Sequence, residues 1–211
     1  MRLFLASYRF GADPGALLRL VGEPGAVAVI ANAADAWGRA RDSAVVSDLV
    51  PLRRLGFAPE ELDLREHVGD PDSLRARLSG FPMVWVRGGN TFVLRAQLAR
   101  SGGDTVLTEL LRADALVYAG YSAGACVLAP SLRGLESLDD PAEVEPTCGI
   151  PVRWDGLGLI DHAIVPHFRS PGYGEAESAA IEAVAERYRR EGTAHKTLTD
   201  DEVLVVGEGS G

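Results

Sequence analysis

Short apolar runs alternate along the chain with longer stretches in which apolar residues recur every three or four positions. The apolar runs predict β-strands at residues 3–8, 26–31, 83–86 and 115–119. The stretches between them predict one-sided helices at residues 39–55, 73–78, 91–101 and 104–112. This order favours an α/β fold in which a largely parallel sheet carries helices on both faces.

The second half of the chain continues this pattern after an interruption. Residues 131–151 contain three prolines and five acidic residues, which predicts a long loop. Such a loop either belongs to the surroundings of an active site or is a plain surface excursion. Beyond it the pattern predicts a strand at 159–165, a long helix at 174–190, and a closing hairpin made of 196–199 and 203–206.

Length, composition and charge narrow the class of protein. A chain of 211 residues fits one domain, here 1–211, and its 46% hydrophobic and 24% charged residues are ordinary for an ordered globular protein. The formal net charge of −9 opposes binding to nucleic acid or to an anionic membrane, because phosphate groups would be repelled. Ligands in such sheets bind at the carboxyl ends of the strands, so we expect the site there.

Cysteine usage and hydropathy indicate the compartment. The two cysteines are Cys126 and Cys148, and the first falls in a predicted helix, so a disulfide framework is not indicated. No window approaches the roughly 20 apolar residues of a membrane helix, and the N-terminus lacks a signal peptide pattern. We therefore expect a soluble cytoplasmic protein.

The most informative segment is Gly120-Tyr121-Ser122-Ala123-Gly124, which follows an apolar run and precedes a helical stretch. This G-x-S-x-G pattern is typical of a nucleophile elbow, where glycines permit a tight turn that exposes the serine hydroxyl. The Ala123 N–H would then stabilise a developing oxyanion. Small residues also line structural turns, so the motif alone leaves that alternative open.

A second strand-to-helix turn occurs at residues 84–92. Its bare glycine amides can approach a substrate carbonyl, so Gly88 or Gly89 would supply a second oxyanion donor and Asn90 would position the peptide. The alternative interpretation is a tight turn in which Asn90 or Thr91 caps the following helix.

Histidine placement identifies the candidate base. His167 comes directly after the apolar strand pattern, where it could reach an elbow serine from a neighbouring strand end. His67 lies in a charged linker, His195 precedes the last predicted strands, and His162 falls inside the strand pattern. His167 is therefore the preferred general base.

Three motifs together resemble one known family. Residues 87–92 (RGGNTF), 121–125 (YSAGA) and 165–168 (VPHF) are similar, in sequence and order, to the serine peptidase family of peptidase E and cyanophycinase. The resemblance extends from about Leu3 through the helix after Gly174. It implies a class I glutamine amidotransferase-like fold with serine in place of cysteine, and hydrolysis without a metal or organic cofactor.

The resemblance also implies roles for individual residues. Ser122 matches the family nucleophile and His167 its general base, while Gly89 and Ala123 match the oxyanion donors. These groups would attack a peptide carbonyl and stabilise the resulting negative charge.

The third member of the triad is an acid that the family places in the loop after the elbow. Asp139, seventeen residues after Ser122, is preferred, with Asp140 and Glu136 as alternatives. The carboxylate is needed to fix the imidazole tautomer and to stabilise the imidazolium.

The resemblance also bears on which substrate is preferred. Peptidase E prefers an N-terminal aspartate, which requires a nearby cation, and Arg169 or Arg133 would serve unless both are ordinary solvated arginines. Glu175 resembles a glutamate at the start of a family helix, although the surrounding sequence departs from the peptidase E pattern.

Other reactive groups are less suitable. Cys126 lies one helical turn beyond Ser122 and would point away from the elbow, so we expect a small core residue. Asp35, Asp63 and the remaining acids show no ligand spacing with histidines, which predicts no catalytic metal.

The sequence therefore predicts a serine peptidase that hydrolyses short peptides, with aspartyl dipeptidase activity as the specific form. The alternatives are an esterase-type serine hydrolase of the α/β-hydrolase fold, which shares the elbow, and an inactive binding protein of the same fold. Self-association is left open.

Overall fold

A mostly parallel sheet forms the centre of the protein. The computed structural model describes residues 1–207, so residues 208–211 of the predicted 1–211 domain lie outside it. The central strands are β1 (Arg2–Ala6), β2 (Ala26–Ile30), β3 (Ala58–Glu61), β4 (Met83–Val86), β5 (Val117–Tyr121) and β8 (Val203–Val206). Their order is β3-β2-β4-β5-β1-β8, and β8 alone runs antiparallel to its neighbour. Strands β6 (Ala163–Val165) and β7 (His195–Thr197) form a separate parallel pair.

Helices cover both faces of this sheet. They are α1 (Pro14–Val21), α2 (Ala40–Arg54), α3 (Pro71–Leu78), α4 (Thr91–Ser101), α5 (Gly103–Arg112), α6 (Ala123–Cys126), α7 (Val144–Cys148) and α8 (Glu175–Glu191). Successive strand side chains point to opposite faces, so Phe4 packs with Leu17 of α1 and Leu52 of α2. Leu5 packs on the other face, in the cluster that includes residues of α3, α4, α5 and α8. The predicted α/β fold with helices on both faces is confirmed.

Two elements carry no strong sequence signal. Strand β3 has the sequence Ala58-Pro59-Glu60-Glu61 and lies at the edge of the sheet. An edge strand tolerates proline and charged side chains because one of its sides faces solvent. Helix α1 is short, begins with Pro14, and is capped by the Asp13 carboxylate, which accepts from the Gly15 N–H at 2.9 Å.

The predicted closing hairpin is wrong. Strand β7 pairs with β6, whereas β8 pairs with β1, so the two strands belong to different sheets. The turn between them, residues 199–202, therefore crosses from one sheet to the other at the site edge. Its backbone is closed by a bond from the Glu202 N–H to the Thr199 carbonyl at 2.9 Å.

Residues 131–151 are not the irregular loop that the sequence predicted. They contain short 3-10 turns at Leu135–Ser137 and Pro141–Glu143, followed by α7. Leu135, Val144 and Cys148 are buried in the core, and Leu138 and Asp139 line the cavity at Ser122. The segment thus belongs to the surroundings of the site.

Within residues 1–207, no helix has the length and apolar character needed to cross a membrane.

Candidate active site

Ser122 occupies a sharp turn between β5 and α6. Its backbone has φ 49° and ψ −116°, a sparsely populated conformation for a residue with a side chain. The Ser122 N–H donates to the Ala6 carbonyl at 3.1 Å, which ties the elbow to the end of β1. The strand-to-helix context predicted for the G-x-S-x-G motif is therefore present.

The two glycines of the motif are required by close packing. A Cβ on Gly120 would lie 2.6 Å from the Gly124 carbonyl oxygen, and one on Gly124 would overlap the Val86 carbonyl of β4. Both collisions involve backbone atoms, which cannot rotate away as a side chain does.

Gly124→Ala is expected to lower the free energy of unfolding by about 1–3 kcal/mol, because β4 and α6 must separate to admit the methyl group. Gly25→Ala is the matched control, since its nearest neighbour would be the Pro82 Cγ at 3.8 Å. Urea unfolding of the two variants checks the difference. Equal stability of both would contradict the packing argument.

His167 approaches the serine from the turn after β6. It adopts φ 63°, and its backbone N–H donates to the Ser7 hydroxyl at 2.6 Å. The ring then places Nε2 at 3.1 Å from the Ser122 Oγ. This distance is within hydrogen-bond reach of a nucleophile and its base.

The other ring nitrogen of His167 faces Asp200, in the turn between β7 and β8. Nδ1 lies 2.7 Å from the Asp200 Oδ1. The carboxylate also accepts from the Ser7 hydroxyl at 2.9 Å, and the Asp200 N–H donates to the Ser170 hydroxyl at 2.8 Å. With Nδ1 protonated toward Asp200, Nε2 is left as the acceptor for the serine proton.

Tyr173 completes the environment of this pair. Its hydroxyl donates to the Asp200 Oδ2 at 3.1 Å and lies 2.6 Å from the His167 Nδ1. Burial and the neighbouring Asp200 carboxylate raise the pKa of Tyr173 well above its ordinary value, so the phenol stays protonated and remains a donor.

The acid predicted from the sequence is corrected by this geometry. Asp139 uses its Oδ2 to accept from the Thr91 N–H at 2.9 Å and from the Thr91 hydroxyl at 2.6 Å. It has no hydrogen bond to His167 in the described part of the chain. Burial raises the pKa of Asp139, which the two bonds from Thr91 partly offset. Asp139 lines the cavity but does not orient the imidazole.

The two alternative acids, Asp140 and Glu136, also make contacts with groups other than His167. Asp140 caps the following 3-10 turn by accepting from the Ala142 N–H at 2.8 Å. Glu136 pairs with Arg187 of α8 at 2.6 Å. The sequence analysis missed Asp200 because the segment Thr199-Asp200-Asp201-Glu202 is typical of an ordinary polar turn. The signal that could have identified Asp200 is a carboxylate that follows the His167 segment in the chain.

The predicted oxyanion donors lie where the chain turns out of β4 and into α6. Gly89 has φ 147°, and a Cβ there would lie 2.5 Å from the Ala33 carbonyl oxygen, so this position requires glycine. Within residues 1–207, the N–H groups of Gly89 and Ala123 make no hydrogen bond. Gly88 also lies at the elbow, since a Cβ on it would be 2.9 Å from the Ser122 Cβ.

Asn90 lines a cavity that contains Ser122, and its carboxamide is hydrogen-bonded within the protein. Its Oδ1 caps α4 by accepting from the N–H groups of Phe92 and Val93 at 2.9 and 3.1 Å. Its Nδ2 donates to the Asp140 carbonyl and to the Glu143 carboxylate at 2.8 and 2.7 Å. Both N–H donors of the carboxamide are used within the protein and the predicted helix cap is present, while the positioning of a peptide by Asn90 stays a prediction.

Two adjoining cavities open on Ser122 and His167. One, of about 360 Å³, runs between Leu138 and the Ile181 side of α8. The other, of about 620 Å³, extends past Gly89 to Trp37. Both cavities thus offer open space beside the Ser122 hydroxyl.

Neither cation that the sequence analysis considered lines these cavities. Arg169 is largely exposed and pairs with Glu182 of α8 at 3.3 Å. Arg133 lies against the Trp154 ring, 4.9 Å from its centroid. Glu175 is exposed at the first position of α8. The solvated interpretation of the two arginines fits the structure.

The remaining reactive side chains make contacts that stabilise the fold. Cys126 is buried, with its Sγ 3.4 Å from the Ile164 carbonyl, and burial raises the pKa of its thiol, so it stays protonated. Asp35 and Asp63 pair with Arg41 at 2.7 and 3.2 Å. Over residues 1–207, no cluster of three or more His, Cys, Asp or Glu side chains is arranged to hold a metal ion.

Comparison with solved structures defines the class of fold. A Peptidase E candidate from Listeria monocytogenes EGD-e superposes with a TM-score of 0.76, 23% sequence identity and 97% coverage of both chains. A peptidase from an acI-B1 Actinobacterium gives a TM-score of 0.59 at 16% identity, over 85% of this chain and 74% of that one. The fold is class I glutamine amidotransferase-like.

Sequence comparison then identifies the family. The sequence model of peptidase family S51 matches residues 39–211, so the chain belongs to this family. An uncharacterized peptidase from Listeria innocua is 34% identical over 119 residues, 56% of this chain and 54% of that protein. A Peptidase E from Streptomyces coelicolor is 36% identical over 144 residues, 67% of this chain and 51% of that protein. The matched regions thus span about half the length of these curated relatives.

Proposed function

We propose that this protein is a serine peptidase that hydrolyses short peptides through an acyl-enzyme. The observation that carries the proposal is the continuous chain of contacts from the Ser122 Oγ through the His167 imidazole to the Asp200 carboxylate. Membership of a peptidase family and peptidase-named relatives support the same class of reaction. The complete constellation favours catalysis over an inactive binding protein, and the family favours a peptidase over an α/β-hydrolase esterase.

The geometry supports the following acylation step. His167 Nε2 takes the Ser122 proton as the Oγ bonds to the peptide carbonyl carbon, while Asp200 stabilises the imidazolium. The unpaired N–H groups of Gly89 and Ala123 donate hydrogen bonds to the developing oxyanion. The C–N bond then breaks, and His167 returns the proton to the leaving amine.

Deacylation follows the same route in reverse. His167 takes a proton from water, the water oxygen bonds to the acyl carbon, and the ester bond to the Ser122 Oγ breaks as the serine is reprotonated. No metal is needed for either step.

The finer proposal is cleavage of dipeptides with an N-terminal aspartate. It is supported by the resemblance to peptidase E, although Arg169 and Arg133 do not reach the cavity. Dipeptides of the Asp-Xaa type are therefore the first substrates to test.

Two measurements test the proposal. The first is the rate of hydrolysis of dipeptides with Asp, Glu, Asn, Leu or Lys at the N-terminus, and the second is labelling by a fluorophosphonate, which reacts with activated serines. We expect hydrolysis of at least one dipeptide, preferentially Asp-Xaa. We also expect that the reagent adds to one residue, which mass spectrometry identifies as Ser122, and that this addition abolishes the hydrolysis. Cleavage of another dipeptide would keep the mechanism and discard the aspartyl preference. No hydrolysis of any peptide by the folded, untreated protein, although the reagent labels its Ser122, would contradict the peptidase assignment.

A further inference from the structure

One end of the larger cavity carries two guanidinium groups that the proposed reaction does not use. Tyr8, Arg9, Trp37 and Arg87 line the cavity together with Gly89 and Ser122. We call these four residues the cationic end. Arg87 follows β4 directly and precedes Gly88 and Gly89, so it belongs to the same turn as the proposed oxyanion donor.

Arg87 is buried and incompletely bonded. Its Nε contacts the Asp48 Oδ2 at 2.9 Å and the Tyr121 hydroxyl at 3.3 Å, and only 7% of the residue is exposed. Its Nη1 has no hydrogen-bond partner in the described part of the chain. An unpaired buried N–H costs free energy, so this guanidinium favours an additional acceptor.

Trp37 covers the guanidinium of Arg87. The Arg87 Cζ lies 5.1 Å from the centroid of the Trp37 ring, and Trp37 itself is 44% exposed. A large aromatic side chain exposed at a cavity wall is available to pack against a bound peptide. The cationic end therefore offers both a charged and an apolar contact.

Arg9 brings a second guanidinium to the same place. Its Nη1 donates to the Ser47 carbonyl at 2.7 Å, and its Cζ lies 5.4 Å from the centroid of the Tyr8 ring. Guanidinium groups have five N–H donors, so one internal hydrogen bond leaves donors for a ligand. Arg9 also has φ 48°, a conformation that is costly for a residue with a side chain and is common at functional sites.

The charges at this end do not cancel. Asp48 is the carboxylate that contacts Arg87, and Arg9 acts on it electrostatically as well. Asp42 lines a groove on the α2 side of Arg9, outside the cavity that contains Ser122. Two guanidinium groups and one carboxylate thus leave an excess positive charge at the cavity wall.

The same cavity is also lined by acidic residues. Asp139, Asp140, Glu143 and Glu177 line it, with Ser122 and His167 present in the same cavity. These carboxylates favour an ammonium group and disfavour a carboxylate. A zwitterionic peptide therefore has a preferred polarity in this cavity, with its negative group at the cationic end.

We propose that Arg9 and Arg87 form a carboxylate-binding subsite for the peptide substrate. The inference rests on the proposed peptidase function and deepens it, because it assigns a substrate charge to a place in the cavity. The carboxylate is either an acidic side chain of the N-terminal residue or the C-terminal α-carboxylate. Paired guanidinium groups suit either source, since both present two oxygens in a plane.

Binding to a catalytically silenced protein tests the subsite without requiring turnover. Isothermal titration calorimetry on Ser122→Ala uses four peptides: Asp-Leu, Asn-Leu, Asp-Leu-amide and Asn-Leu-amide. Arg9→Gln is added as the test variant, since Arg9 is only partly buried. Arg169→Gln is the matched control, because Arg169 is exposed and lines neither cavity.

We expect Arg9→Gln to weaken binding by about tenfold to hundredfold, and only for peptides that retain the recognised carboxylate. Loss confined to the two Asp peptides assigns the acidic side chain, and loss confined to the two free acids assigns the C-terminus. Equal weakening of all four peptides, no weakening, or the same effect of Arg169→Gln would overturn the subsite.

A second variant addresses the buried pair. Arg87→Gln combined with Asp48→Asn removes both charges together, so no buried charge is left unpaired. It should reproduce the selectivity loss of Arg9→Gln while retaining a cooperative thermal unfolding transition. Unchanged carboxylate selectivity in the folded double variant would show that the Arg87 pair is structural only.

Failure of this inference is distinguishable from failure of the proposed function. Asn-Leu-amide carries no carboxylate, so its hydrolysis by the native protein reports on the peptidase activity alone. Hydrolysis without carboxylate selectivity would reject the subsite and keep the peptidase. Selective binding without hydrolysis would keep the subsite and reject the peptidase.

Discussion

Ser122→Ala and His167→Ala are each expected to lower kcat/KM for the best dipeptide by about 10⁶-fold, and the double variant is expected to be no worse. The physical reason is that the two side chains act as one unit across the 3.1 Å contact between Oγ and Nε2. Without the base the hydroxyl keeps its proton, and without the hydroxyl the base has no nucleophile to activate.

Initial rates for the three variants, with thermal unfolding curves to confirm folding, check this prediction. Additive losses in the double variant would mean that the two residues contribute independently. That outcome would contradict a nucleophile and base that share one proton.

Asp200→Asn is expected to lower kcat/KM by about 10⁴-fold, because an asparagine amide favours the wrong imidazole tautomer. Its Nδ2 would donate to the His167 Nδ1, and the proton would then move to Nε2, where the serine needs an acceptor. Tyr173 and Ser7 also donate to this carboxylate, so the replacement disturbs its other contacts too.

Asp139→Asn is the matched comparison, since it also removes a carboxylate from the cavity wall. Asp139 contacts Thr91 at the start of α4, beside the Gly89 turn, and it does not contact the imidazole. We expect Asp139→Asn to lower kcat/KM by about tenfold to hundredfold. The reason is that weaker contacts with Thr91 would allow the adjacent Gly89 turn to move, and the Gly89 N–H is proposed to stabilise the transition state. A larger loss for Asp139→Asn than for Asp200→Asn, both proteins being folded, would reverse the assignment of the acid.

The local part of the site was predictable from the sequence. Ser122 and its flanking glycines form a strand, turn and helix within a few residues, and His167 directly follows an apolar strand. Both signals depend on contacts close in the chain. Gly89 was predictable from its place in a glycine turn between a strand and a helix. The structure adds a long-range reason, because only glycine fits against the Ala33 carbonyl at its φ of 147°.

The acid was not predictable because it depends on long-range strand pairing. Asp200 reaches His167 only because β7 pairs with β6 while β8 pairs with β1, which holds the intervening turn at the site edge. The sequence suggested a hairpin there, so Asp200 read as a turn residue. Asp139 was preferred because the family resemblance implies an acid in the loop after the elbow, yet its donors in the structure are those of Thr91.

Asn90 shows how a structural role can use the side chain of a predicted site residue. A side chain at the start of a helix satisfies N–H groups that otherwise lack partners, and this capping competes with binding a substrate. In this protein the cap and two further bonds use the whole carboxamide. Similarly, the pairing of Arg87 with Asp48 could not be found in the sequence, because it joins the end of β4 to the middle of α2.

The imidazole proton shared by His167 and Asp200 gives the most direct test of the central claim, that Asp200 orients the base. One-dimensional proton NMR should show a resonance downfield of the amide region from the Nδ1–H, identified by its absence in His167→Ala. The account predicts that this resonance persists in Asp139→Asn and disappears in Asp200→Asn. Its persistence in Asp200→Asn and loss in Asp139→Asn would contradict the account.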